Sequence, residues 1–187
     1  MFLAEKGVSV PTVSVDLAKM EQKDEGFTAL NPLQRIPVLV LDDGTAISES
    51  IAICRYFEET HPQPPLFGSD TMSRTLIEMW QRRVEFGLMT PIQLAFRHTH
   101  PAMREMENPQ IPQLADVNRP RALAFLQFLD DELAKRRFVA GDTFSVADIT
   151  AYISVDFMKF ARIPLPDALA HVRRWRDEIA ARPSASA

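Results

Sequence analysis

The chain has 187 residues, 46% of them apolar, which suits one large domain or two small ones with a buried core. A net charge of −4 gives no broad electrostatic reason to bind nucleic acid or an anionic membrane, and a single cysteine excludes an internal disulfide, as fits a reducing cytoplasm. No apolar run approaches the roughly 18 residues that span a bilayer, and the apolar stretch of MFLAEKGV is too short for a secretory signal.

Residues 1–6 read as the last turn and a half of a helix, stopped by Gly7. No N-cap precedes them, and so short a helix is not stable alone. Val8, Val10, Val13 and Val15 are β-branched, so 8–15 reads as a strand, but one without a sequence-adjacent partner. Two accounts of this stay open: an element precedes Met1 in a longer parent, or the chain starts here and tolerates the defect. Residues 18–29 are polar and read as a short helix. Residues 37–41 and 45–48 read as a hairpin turning at Asp43-Gly44, a strong short-range turn signal. Pro37 cannot donate to a ladder and is costly inside a central strand, so it belongs at an edge. Residues 49–60 read as a helix with Ile51, Ile53, Cys54 and Phe57 apolar.

The stretch HPQPPLFGSD then reads as a linker, and beyond it strand signals vanish. Leu76, Trp80, Val84 and Leu88 recur as one helix stripe does; Ala122, Phe125, Leu126, Leu129 and Leu133 give a second; Ile149, Ile153 and Phe157 a third; Ala168, Val172, Trp175 and Ile179 a fourth. Residues 98–118, with Pro101, Pro109 and Pro112, show no period and read as a long connection, either binding-site border or plain surface loop. In FVAGDTFSVADIT, Ser145 and Asp148 have capping-box spacing, with Phe144 and Ile149 placed for a hydrophobic staple. The expected division is an α+β domain over 1–67 and an all-α domain over 68–187.

NPLQRIPVL, then DDGTAISESIAICRYFEE, then FVAGDTFSVADIT in a helical second half resemble the soluble glutathione transferases, most of all their bacterial members. Each piece alone is weak; in this order and spacing they are specific, and the resemblance covers nearly the whole chain. It implies a thioredoxin-like N-terminal domain, here truncated at its start, followed by an all-helical domain. It implies a cis proline at Pro37, exposing the backbone N–H and C=O of Val38 to pair with a short peptide as an added strand does. Glutathione is such a peptide. The helix beginning near Glu49 would receive its γ-glutamyl α-carboxylate, with the Ser50 hydroxyl and N–H as donors, and Glu49 would take the α-ammonium. Arg35 is a candidate for the glycine carboxylate. Read without the resemblance, Ser50 is more readily a cap than a ligand donor, Glu49 a complement to the helix dipole, and Pro37 could be a trans edge residue.

The resemblance implies an enzyme that turns the glutathione thiolate on a small electrophile, to conjugate or reduce it. Glutathione is then a co-substrate, with no other cofactor, no metal, and a homodimer as the expected assembly. In the family the thiol-activating Tyr, Ser or Cys lies after the first strand, which is not found in 1–187, so no catalytic residue is identified. A second reading is a non-catalytic glutathione-binding or protein-interaction module on the same fold. The remaining candidates read as structural. Cys54 is expected to be buried and inert. His98 and His100 lack further ligands at metal-binding spacing, Arg82, Arg83 and Glu85 suit a solvated face or ion pairs, and His171 is structural or exposed. Met79, Trp80, Phe86 and Met89 suit either core packing or an apolar co-substrate pocket.

Overall fold

A computed structural model of the chain describes residues 1–186, which divide into two compact units, one of residues 2–64 and one from residue 65 onward. The first is α+β: α1 (Phe2–Lys6), α2 (Glu25–Leu30), β1 (Val38–Val40), β2 (Ala46–Ser48) and α3 (Ser50–Thr60). The second is all-helical: α4 (Thr71–Val84), α5 (Thr90–Arg97), α6 (Pro112–Leu133), α7 (Val146–Phe157) and α8 (Ala170–Ala180).

In the first unit Gly7 stops α1 in the left-handed region, at φ 65°, where a Cβ would be strained. What secures so short a helix is Lys6. Its buried ammonium lies 2.5 Å from the Glu58 carboxylate of α3 and donates to the carbonyls of His61 (2.8 Å) and Pro64 (2.6 Å). Three acceptors replace the water this charge loses on burial. The strand expected at 8–15 does not form. A strand exists through its ladder, and β1 pairs only with β2 among the described residues, so the four valines carry propensity without a partner. The helix expected over 18–29 is shorter, a 3-10 turn at 21–23 followed by α2.

In the second unit α4 runs through a π turn, Glu85–Met89, into α5. There the Thr90 N–H reaches the Glu85 carbonyl five residues back, and its hydroxyl donates to the same oxygen at 2.9 Å. Gly87 faces the Phe125 ring so closely that a Cβ would stand 2.3 Å from it. The buried side of α4 is Ile77, Trp80, Gln81 and Val84, whereas Leu76 of the expected stripe is exposed. The Trp80 indole stacks on Phe128 and is covered by the Arg136 guanidinium, 4.2 Å from the ring. Residues 98–118 are a connection only up to Ile111. Pro112 opens α6, because a first-turn position needs no N–H, and the helix then continues through Pro120. The stripe expected on α7 also misses its geometry. α7 is buried on nearly every side, yet Ile153 faces solvent.

The cap read at Ser145 and Asp148 forms and extends further than a cap. The fully buried Asp148 carboxylate accepts from the Ser145 N–H and hydroxyl (3.0 Å each), the Val139 N–H (2.8 Å) and the Trp175 indole N–H of α8 (2.9 Å). It joins the start of α7 to the preceding turn and to α8. Burial pushes its carboxyl up from 3.8 to about 6, against the pull of those donors. Asp130 of α6 performs a similar service at the start of α8, accepting from His171 N–H and Val172 N–H at 2.8 Å each.

Candidate functional site

The site predicted from sequence lies wholly in the first unit. A loop enters it, organised by Asn31, which is buried. The Asn31 side chain accepts from the Leu33 N–H (3.1 Å) and donates to the Arg35 carbonyl (2.7 Å), while the Gln34 N–H bonds the Asn31 carbonyl (2.8 Å). Gln34 takes φ 55° to make this bend. The Ile36–Pro37 peptide is cis, and β1 begins at the next residue. Sequence reading passed over Asn31. The Asn-Pro pair that opens NPLQRIPVL is a turn signal that could have flagged it.

The hairpin closes as Asp43-Gly44 predicts. Gly44 sits at φ 86°, Leu41 N–H bonds the Thr45 carbonyl, and the Asp43 carboxylate accepts from Thr45 N–H at 2.8 Å. That bond holds the Asp43 carboxyl below its ordinary value. The register pairs Val38 with Ser48, Leu39 with Ile47 and Val40 with Ala46. Val38 therefore ends one arm where Glu49 leaves the other. The open end of the hairpin brings Pro37–Val38 beside Glu49–Ser50.

Glu49 has φ 69° and ψ 119°, a conformation that a residue with a Cβ seldom adopts. A strained non-glycine backbone costs of order 1–3 kcal/mol and clusters at ligand sites. The strain turns the chain abruptly from β2 into α3. No side chain caps α3, so its first N–H groups face outward at its positive end. Glu49, Ser50 and Arg35 are exposed, and among the described residues none has a side-chain hydrogen bond or ion pair. One carboxylate, one hydroxyl and a free helix start thus adjoin at this junction, while Arg35 lies on the loop that precedes Pro37.

The other candidates fall on the structural side. Burial pushes the Cys54 thiol up to about 11, so it holds its proton at neutral pH and is a poor nucleophile. His98 is buried, its Nδ1 accepting the Ile111 N–H (3.2 Å), and the His100 ring lies against Phe96. Among the described residues no group of three or more His, Cys, Asp or Glu could hold a metal. Arg82 pairs with Glu78 and Glu85, Arg83 lies over Trp80, and His171 is exposed. Of the apolar four, Trp80 is core, Met79 and Met89 are half-buried, and Phe86 is exposed.

Known proteins resemble this chain in both of its units. The family model "Glutathione S-transferase, N-terminal domain" matches residues 1–60, and "Glutathione S-transferase, C-terminal domain" matches 88–183. Glutathione S-transferase 2 of Saccharomyces cerevisiae is 35% identical over 97% of this chain and 79% of its own length, and glutathione S-transferase F10 of Arabidopsis thaliana is 32% identical over 96% and 85%. Among solved structures, a glutathione S-transferase domain-containing protein of Marinobacter aquaeolei superposes with a TM-score of 0.94 at 39% identity, covering 98% of this chain and 91% of its own. Gtt2 of S. cerevisiae gives 0.94 at 34%, covering 99% and 90%. With a thioredoxin-like first domain, an all-helical second and relatives of this identity along nearly its whole length, the chain belongs to the glutathione S-transferase family and is a glutathione transferase-type enzyme.

Proposed function

We propose that glutathione lies across the open end of the hairpin, its cysteinyl backbone paired with the N–H and C=O of Val38 beside Pro37. Its γ-glutamyl carboxylate sits at the start of α3 on the Ser50 hydroxyl and N–H, and its ammonium on the Glu49 carboxylate. Arg35, exposed and unpaired, is within the same loop and suits the glycine carboxylate. The observation that carries this reading is the strained Glu49, which joins Ser48, the partner of Val38 across the hairpin, to Ser50 at the start of α3. The unit of residues 2–64 serves as the glutathione domain and the unit from residue 65 onward as the helical domain, three residues earlier than the boundary expected from sequence. The chemistry is attack by the glutathione thiolate on a small electrophile, or its reduction. Cys54 takes no part in it, since its thiol stays protonated.

The assembly is a homodimer. Met72, Leu76 and Phe86 leave an exposed apolar stripe along α4 and its π turn, of the kind a two-fold interface covers. The protein acts in the cytoplasm, where its thiol co-substrate stays reduced. No helix among the described residues is long and apolar enough to cross a membrane. Titrating glutathione into the nitrogen-15-labelled chain should shift the amide resonances of Val38 and Ser50 first. Shifts concentrated elsewhere would overturn the placement.

A further inference from the structure

Residues 31–36 carry the chain from the end of α2 to the peptide before β1, and two side chains tether them to α2. Asn31 closes α2, its N–H bonding the Phe27 carbonyl at 2.9 Å, and its side chain is buried. The carboxamide works in two directions. Its Oδ1 accepts the Leu33 N–H (3.1 Å), and its Nδ2 donates to the Arg35 carbonyl (2.7 Å). The second tether is the Gln34 side-chain amide, which donates to the Thr28 hydroxyl at 3.1 Å. An Asx turn accounts for the Leu33 bond. It does not account for the bond to Arg35, which lies beyond that turn.

These bonds bracket Arg35. Before it, Gln34 is held at φ 55° with its N–H on the Asn31 carbonyl (2.8 Å). At Arg35 itself the carbonyl is held by Asn31. The direction of the Arg35 Cα–Cβ bond is thereby set, while its guanidinium is exposed and makes no side-chain hydrogen bond or ion pair among the described residues. A fixed stem confines a long cation to fewer positions and lowers the entropy it loses on meeting a carboxylate. Val38 needs no such help, because its pairing with Ser48 holds it from the other arm of the hairpin.

We propose that Asn31 is a positioning residue that sets specificity for the glycine end of the tripeptide, by aiming Arg35 at the glycine carboxylate. This rests on the placement of glutathione at the open end of the hairpin. Asn31 touches no ligand; it is buried and acts through the Arg35 carbonyl. A loop without that bond still presents Val38, Glu49 and Ser50. It keeps the γ-glutamylcysteine portion and loses its preference for a peptide that ends in glycine.

The test compares glutathione with γ-glutamylcysteine, which lacks the glycine, by calorimetry on the full chain. The variant is Asn31→Ser, whose hydroxyl can still accept the Leu33 N–H but is too short for the Arg35 carbonyl. Wild type should bind glutathione about fivefold more tightly than γ-glutamylcysteine, the yield of one exposed charge pair at its upper end. In Asn31→Ser the two affinities should come within about twofold of each other, with γ-glutamylcysteine bound as in wild type. Arg35→Ala should lose the same preference, and adding Asn31→Ser to it should change the ratio no further. Should Asn31→Ser fail to fold, Asn31→Asp takes its place, since it keeps the size and the Leu33 acceptor and drops the same donor. An undiminished preference for glutathione in the folded variant, or an equal weakening of both peptides, would overturn the role of Asn31. A wild type that binds both peptides alike would overturn it by removing Arg35 from the glycine carboxylate. A wild type that binds neither would remove the glutathione placement and this role with it.

Discussion

Replacing Asp148 by Asn should destabilise the protein by about 2–4 kcal/mol at pH 7. The carboxylate serves four donors: Val139 N–H, Ser145 N–H, the Ser145 hydroxyl and the Trp175 indole N–H. Val139 and Trp175 share one oxygen, Oδ1, while both Ser145 groups use the other. An Asn can keep its oxygen on one pair only and turns an NH₂ on the other. The Ser145 hydroxyl can rotate to accept from that NH₂, but its N–H cannot. One or two buried donors are left unmet, at about 1–3 kcal/mol each. Urea unfolding of the two proteins reads the difference. It should also depend on pH in a defined direction. The folded carboxyl titrates near 6 and the unfolded one near 3.8. Between those values the folded state holds a proton that the unfolded state has released. Stability from this group is therefore full below about pH 4 and is lost as pH rises through 6, by about 3 kcal/mol in all. The advantage of wild type over Asp148→Asn should shrink along that span. A variant within about 0.5 kcal/mol of wild type at pH 7 would refute the network.

Lys6→Met should cost about 3–5 kcal/mol by removing the cation from the buried Glu58, and Lys6→Met with Glu58→Leu should recover much of it; a single variant costing under about 1 kcal/mol in urea unfolding would remove the clasp from the account. Gly87→Ala places a Cβ against Phe125 and should cost about 1–3 kcal/mol, read by the same method, with no loss if the ring swings aside freely. Cys54 should react with an aromatic disulfide reagent at neutral pH far more slowly than free cysteine, and equal rates would show an accessible thiolate.

The elements legible in the sequence were those whose cause is local. Gly7, Asp43-Gly44 and Ser145–Asp148 each fix a turn or cap within a few residues, and each forms where the pattern places it. What was misread depends on partners distant in sequence. Residues 8–15 have strand propensity and no ladder, α6 begins at the proline that seemed to exclude helix, and Ile153 follows a helical period yet faces solvent. The candidate site was legible as a set of residues because the resemblance fixes their order. The strain at Glu49 and the buried Asn31 brace were not, since backbone angles and a side chain's burial follow from the assembled hairpin. Asp130 capping α8 from another helix has no sequence signal at all.

The central claim, that the Glu49–Ser50 junction holds the γ-glutamyl head, is tested most directly by calorimetric titration of glutathione into wild type and Ser50→Ala. Removing one hydrogen bond to a charged carboxylate should cost roughly 1–3 kcal/mol, about a 5- to 150-fold rise in Kd. Ser50 is exposed and caps no group in the free protein, so the melting temperature should hold within a degree or so. An unchanged Kd in the folded variant would contradict the assignment.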